Sequence, residues 1–227
     1  MNAAAPLALD HLVLAARTLE EGVAWCEASL GLRPEAGGQH AFMGTHNRVF
    51  SIASPTFPRA YFEIIAIDPA LPAPTHPRWF DLDDAELQRA LERGPQLVQW
   101  VARCNDIAAA SAALRAGGID CGALRQAERT TPAGLLRWQI SVRTDGRRPL
   151  AGAAPALIQW GDAHPTDALP DSGVTLETMQ VNAFPMALAS LLPTPLLIDS
   201  TPAAAPIRVR LNGRRGPVTL QTPHLES

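Results

Sequence analysis

Residues 7–22, LALDHLVLAARTLEEG, decide how the rest of the chain is read. Residues 7–15 are an apolar run of strand length, broken only by Asp10 and His11. Thr18 then stands as an N-cap with Glu21 three residues on, the spacing of a capping box that starts a helix. Val23, Cys26 and Leu30 recur on one helical face, and Gly31 sits where a helix stops. Strand-like runs follow at residues 33–35, 48–53 and 61–67, so this first unit reads strand, helix, strand, strand, strand.

A proline-rich connector, DPALPAPTHP at residues 68–77, lacks the N–H groups a ladder needs and reads as loop. A short amphipathic helix is expected over residues 83–93, with acids in its first turn and Gly94 beyond its end. The pattern then restarts: a strand at 97–103, a helix capped by Asp106 and ending near Gly117-Gly118, and strands at 135–142 and 156–160. An offset of 88 residues lays Leu19 on Ile107 and His11 on Gln99. Matching the alternation of the two last strands lays Glu63 on Gln159, an offset of 96. A third, shorter unit starts near Val174, with a strand at 175–181, a helix at 185–192 and strands at 207–211 and 218–221. The expected divisions are 1–69, 70–95, 96–170 and 171–227, the last packed on the same domain.

With 227 residues, 47% apolar and 18% charged, the chain can bury a core without cross-links. No apolar run approaches the ~20 residues that span a bilayer. All 19 basic residues are arginine, spread out and outnumbered by 22 acids, so no nucleic-acid footprint appears. Three unpatterned cysteines suit a reducing compartment and read as small buried hydrophobes. Residues 1–16 lack a basic start and carry Asp10 and His11, unlike a secretory leader, and the expected location is cytoplasmic. Abundant Ala, Arg and Pro without Lys suggests a GC-rich bacterial genome.

Burying an unpaired polar side chain costs roughly 1–3 kcal/mol, so polar residues inside apolar strands call for partners. His11, Glu63, Gln99 and Gln159 are four such residues, in the first and last strands of the two units. Converging, they would offer an imidazole, a carboxylate and two amide oxygens to a divalent ion such as Mg²⁺, Mn²⁺, Fe²⁺, Ni²⁺ or Zn²⁺. The plainer reading is a hydrogen-bonded core histidine and a glutamate on the solvent side of its strand.

Several stretches together resemble the glyoxalase-like domain family of the vicinal oxygen chelate superfamily. They are LDHLVLAARTLEEG (9–22), GGQHAFMGTHNRVFSI (37–52), YFEIIAIDP (61–69), LRWQISV (136–142) and ALIQWGDAHP (156–165). The resemblance implies an α+β fold in which tandem βαβββ modules form a cupped mixed sheet around a cavity. A shorter βαββ-like unit would follow. It also implies that any metal ligands come from the first and last strands of each module, here His11, Glu63, Gln99 and Gln159. Only one of these is histidine, which disfavours extradiol ring cleavage, and Gln159 cannot take a proton, which disfavours a true glyoxalase. Glu63 would then be ligand and base together.

The resulting expectation is a metal-assisted lyase or isomerase acting on a small substrate with vicinal oxygens. The alternative is a metal-free binding or sequestration protein using the same cavity, and a third is a dimerising structural subunit. His46, Asn47 and Arg48, with His40, are candidate substrate contacts at the cavity mouth, Arg48 for an anionic group, and Arg137 and Gln139, which flank Trp138, are candidates on the opposite parity of their strand. Turn chemistry is the plainer reading of the residues around Gly44. Trp100, Trp138 and Trp160 read as core, with Trp100 and Trp160 facing the helices if the glutamines face the cavity. Asp145 to Arg148 and Asn212 to Arg215 read as solvated turns. No phosphate-binding glycine loop or GxSxG motif occurs, so no nucleotide or organic cofactor is expected. Expected partners are a small-molecule ligand and a second copy of the chain, with no nucleic acid and no membrane.

Overall fold

The structure is a computed structural model that describes residues 7–192, 196–199 and 205–223. Residues 1–6, the start of the stretch read against a leader, lie outside it. The chain opens with β1 (Ala8–Ala15), α1 (Leu19–Ser29), β2 (Glu35–His40), β3 (Thr45–Ser51) and β4 (Tyr61–Ile67). After the connector come α2 (Ala85–Leu91), β5 (Gln96–Arg103), α3 (Ile107–Ala116), β6 (Ala123–Thr131), β7 (Gly134–Val142) and β8 (Ala156–Trp160). These strands form one curled eight-stranded sheet in the order β2-β3-β4-β1-β5-β8-β7-β6. Two βαβββ halves therefore meet edge to edge through their first strands, β1 antiparallel to β5.

Thr18 and Asp106 are the caps the sequence specifies: Thr18 accepts a hydrogen bond from the Glu21 backbone N–H and Asp106 from Ala109. The α2 helix is shorter than expected and is capped by Asp84, which accepts from the Glu86 and Leu87 N–H groups. The sheet has two differently covered faces. Leu12 and Leu14 of β1, Phe62 of β4 and Trp100 of β5 form the larger core with Cys26 of α1 and Leu114 of α3. A second sheet covers the same convex face, in the order β10-β9-β11-β12: β9 (Thr175–Asn182), β10 (Leu197–Asp199), β11 (Ile207–Gly213) and β12 (Gly216–Gln221). Leu176, Met179, Val181 and Val209 of that sheet join the convex core. The concave face has a smaller core in which Val13, Ile65, Val101 and Ile158 meet Trp79, Phe80 and Leu87 from the connector and α2.

Trp100 is fully buried at the middle of the β1–β5 seam, opposite Leu12, with its indole N–H on the Ala153 carbonyl. Trp100→Ala is expected to lower folding stability by about 3–5 kcal/mol, as large cavities in packed cores do. A urea unfolding midpoint unchanged from wild type would contradict this placement.

Four local expectations are corrected. A strand missing from the sequence reading, β6, lies between α3 and β7 (pairing with β7 from Ala123↔Val142 to Thr131↔Gly134). As an edge strand largely exposed on both faces, ALRQAERTT shows no apolar alternation to read. The third unit carries a 3₁₀ turn at Met186–Leu191 in place of a helix, and the short strand β10. In the hairpin β11 continues through Asn212 and Gly213, so the turn falls at Arg214-Arg215. Arg148 is not a solvated turn residue: it is buried, its guanidinium paired with Asp81 at 2.5 Å and bonded to the Val98 carbonyl. The three cysteines are buried and free. No helix among the described residues is long and apolar enough to cross a membrane.

Candidate active site

Asp10 and His11 are adjacent in β1, and alternation would send them to opposite faces. The β1–β5 register shifts between Leu9 and His11, so Asp10 is the extra residue of a bulge. Both side chains reach the same buried cluster as a result. His11 Nδ1 donates to Asp10 Oδ1 at 2.7 Å, which turns Nε2 toward Glu63 Oε2 at 3.5 Å. The other Asp10 oxygen accepts the Trp160 indole N–H at 3.0 Å and lies 2.9 Å from His164 Nε2. His164 Nδ1 accepts from the Thr166 backbone N–H, so its proton sits on Nε2 and points at Asp10. Glu63 Oε1 accepts from Asn47 Nδ2 at 2.6 Å, and Asn47 Oδ1 is fixed in turn by the Gly38 N–H. Tyr61 stacks on the His11 ring at 4.5 Å. A continuous chain, His164–Asp10–His11–Glu63–Asn47, therefore runs through the concave face.

Burial would push the His11 imidazole down, but hydrogen bonds and charge from Asp10 and Glu63 outweigh it and raise its pKa to about 9. Burial likewise opposes ionisation of Glu63, yet His11, His40 and Asn47 hold it down at about 2. Asp10 is lowered too, because its hydrogen bonds to His11 and His164 overcome its desolvation. His40 goes the other way: burial dominates and drops it to about 4, with the Glu63 charge only partly compensating. His40 is thus a neutral ring, its Nδ1 engaged with Thr45 Oγ1 and its Nε2 3.9 Å from Glu63 Oε1.

These shifts fix the stability profile. The raised His11 contributes stability present below pH 6.5 and lost as pH rises through 9. The depressed His40 costs stability as pH falls from 6.5 toward 4, because the unfolded chain takes that proton first. Glu63 contributes above pH 4.5 and loses its share only near pH 2. Unfolding stability is therefore expected to peak near pH 6.5, falling by about 1 kcal/mol at pH 5 and about 3 kcal/mol at pH 9. Urea titrations at the three pH values check this, and a flat profile contradicts it.

The cluster borders a cavity of about 40 Å³, walled by Trp79, Phe80, Trp138 and Trp160 and closed on one side by Arg129 of β6. Arg129 reaches across to β2, where a Cβ at Gly38 would overlap its guanidinium. The two edges of the curled sheet meet there.

Of the residues singled out in the sequence, His11, Glu63, Asn47 and His40 come together at this cavity. Gln99 pairs with Val13, two residues along β1 from His11, and its amide N–H goes to the Ala154 carbonyl while Oε1 stays buried without a partner. Gln159 faces the other way and accepts from the Ile107 N–H at the start of α3. The pairing explains why: Val13 lies opposite Glu63 and Val101 opposite Ala156. Under the 88-residue offset, which carries Val13 onto Val101, Ala156 and not Gln159 is the counterpart of Glu63. The assumed register is wrong by three residues, an odd number, which flips the face.

The same alternation moves other candidates. Thr45, Asn47 and Val49 face inward on β3, whereas Arg48 lies in a groove against α1 beside Glu20, and His46 stands 3.5 Å from Asp68. Arg137, Gln139 and Gln159 line an open groove of about 570 Å³, with Arg137 paired to Glu128. Trp100 faces the helices as expected, but Trp138 and Trp160 wall the cavity.

The four-ligand metal shell therefore does not assemble. His11 Nε2 and Glu63 Oε2 have a spacing suited to neighbouring ligands, about 3.0–3.4 Å around an ion with ~2.1 Å bonds. The two glutamines are spent elsewhere or turned away, and no three His, Cys, Asp or Glu side chains among the described residues form a group that could hold a metal ion. Asp10, Trp79, Arg129 and His164 also belong to the site and are not among the candidates the sequence offers. Asp10 inside an apolar strand was the one visible signal among them.

A family model described as a glyoxalase-like domain matches residues 9–194. No curated protein matches the chain. Among solved structures, a hypothetical protein from Staphylococcus aureus superposes with a TM-score of 0.58 at 17% identity, covering 95% of this chain and 85% of that one. The methylmalonyl-CoA epimerase from Mycobacterium tuberculosis gives a TM-score of 0.42 at 18% identity, covering 74% of this chain and 97% of that one.

Proposed function

The chain belongs to the glyoxalase-like domain family of the vicinal oxygen chelate superfamily, and from that premise we propose that it is a lyase- or isomerase-type enzyme. In this reading it takes a proton from the carbon next to a carbonyl in a small substrate with vicinal oxygens, and Glu63 is the base. The observation that carries the reading is the buried chain of ionisable groups ending at the cavity, Asp10–His11–Glu63. Burying so many charges is costly, and a pocket that merely retained an apolar ligand would gain nothing from them.

Glu63 Oε1 is held by Asn47, which leaves Oε2 to accept the proton as the C–H pair becomes the enolate π bond. The His11 Nε2–H, beside that oxygen, donates to the developing enolate oxygen, and Asp10 keeps the ring in place from behind. As His11 shifts its hydrogen bond from Glu63 to the substrate, Glu63 loses a contact that kept its pKa low and becomes a better base. Returning the proton to the neighbouring carbon or to the opposite face completes an isomerisation, whereas collapse of the enolate to a C=C bond, with the β-substituent leaving with its electron pair, completes a lyase reaction.

The test is deuterium exchange into C3 of 2-oxobutyrate in D₂O, followed by proton NMR. Exchange above the buffer rate that depends on Glu63 supports the reading. Binding without exchange favours the sequestration protein instead, and neither result depends on identifying the natural substrate.

A further inference from the structure

Two buried donors at the cavity have no acceptor: Arg129 Nε and Trp79 Nε1. Both side chains wall the cavity that holds His11 and Glu63, and Trp79 is only 5% exposed. The Arg129 charge reaches the site, opposing protonation of His40 and easing ionisation of Tyr61. Buried donors are rarely left unpaired, and a guanidinium least of all, since each orphan costs about 1–3 kcal/mol or more. Glu63 is already taken by His11 and Asn47, so it does not supply the missing acceptor. What the cavity lacks is a compact, negatively charged ligand bearing two acceptor oxygens. Arg48, the arginine that the sequence suggested for this purpose, lies on the opposite face of β3.

We propose that Arg129 and Trp79 form a carboxylate-binding subsite, so that the substrate is a small 2-oxo or 2-hydroxy acid whose carboxylate takes Arg129 Nε–H and Trp79 Nε1–H. The inference rests on the reading of Glu63 as the base and narrows its substrate class. Lying against Gly38, Arg129 also closes the gap between the edge strands β2 and β6, so the same residue that recognises the anion covers it. With room for only a few water-sized groups, the enclosed space suits a compact acid and not a bulky conjugate.

Calorimetry with 2-oxobutyrate and its neutral amide tests this on Glu63→Gln protein, in which the chemistry is switched off. The acid should bind at least about tenfold tighter than the amide, as expected for a charge-assisted pair. Arg129→Gln should abolish the preference, and Trp79→Phe, which keeps the ring and removes the N–H, should weaken the acid about threefold to tenfold. Equal binding of acid and amide, or an Arg129→Gln variant with the preference intact, overturns the subsite. If the acid is preferred but wild type catalyses no exchange, the enzyme reading fails and the subsite stands. Exchange with no effect of Arg129→Gln on affinity leaves the enzyme reading and removes the subsite.

Discussion

Glu63→Gln should lower catalysed deuterium exchange into 2-oxobutyrate by about 10²–10⁴-fold, the range that a positioned base contributes. The amide is nearly isosteric and can keep an oxygen toward Asn47, so the strand pairing of β4 with β1 and β3 has no reason to change. What it cannot do is accept the proton. It also removes one of the two carboxylates that flank His11, so the imidazole pKa should fall from about 9 toward its ordinary value. The two effects arise from one substitution and are measured independently, by exchange and by titration. An Asp at this position would retain the charge but retreat from His11, so Glu63→Asp should recover part of the His11 shift and less of the rate. Wild-type exchange in the Glu63→Gln protein would remove Glu63 from the chemistry.

The second large effect is expected at Asp10. Its carboxylate is fully buried and receives three donors, from His11, Trp160 and His164. Asn offers one oxygen and an NH₂ group, so at least one donor would face another donor and His11 would lose its counter-charge. Asp10→Asn should therefore cost about 3–5 kcal/mol of folding stability. It should also slow exchange by roughly ten- to a hundredfold through loss of ring orientation, as for other groups that hold a reactive imidazole. Urea unfolding and the exchange assay read the two parts. Trp160→Phe is the milder companion, removing a single donor; it should cost about 1 kcal/mol and leave exchange within a few fold. If Asp10→Asn matches wild type in both measurements, the buried chain is not a working unit.

Much of the fold was legible because it is written in local signals. The capping residues Thr18 and Asp106 and the apolar runs of β1, β4 and β5 act within a few residues of themselves, and their recurrence 88 residues on marks the second unit. The strand β6 was not legible, because an edge strand exposed on both faces carries no alternation to detect. The site was legible only in part. His11 and Glu63 stand out as polar residues in apolar strands, and both lie in the concave cluster. Gln159 looked equivalent to Glu63, but whether a residue faces in or out depends on a register that loops of different length shift by an odd number. Asp10 turns inward through a bulge that no sequence pattern marks. Trp79, Arg129 and His164 come from a loop, an edge strand and a 3₁₀ cap, brought together only when the sheet curls.

Direct titration of His11 by ¹⁵N–¹H NMR of the imidazole, on chelator-treated protein, tests the central claim without knowledge of a substrate. The expected result is a doubly protonated ring that persists to a pKa of about 9 and moves down in Glu63→Gln. A ring that titrates near 6.5, unmoved by that substitution, would show that His11 and Glu63 are not the coupled pair on which the proposed chemistry depends.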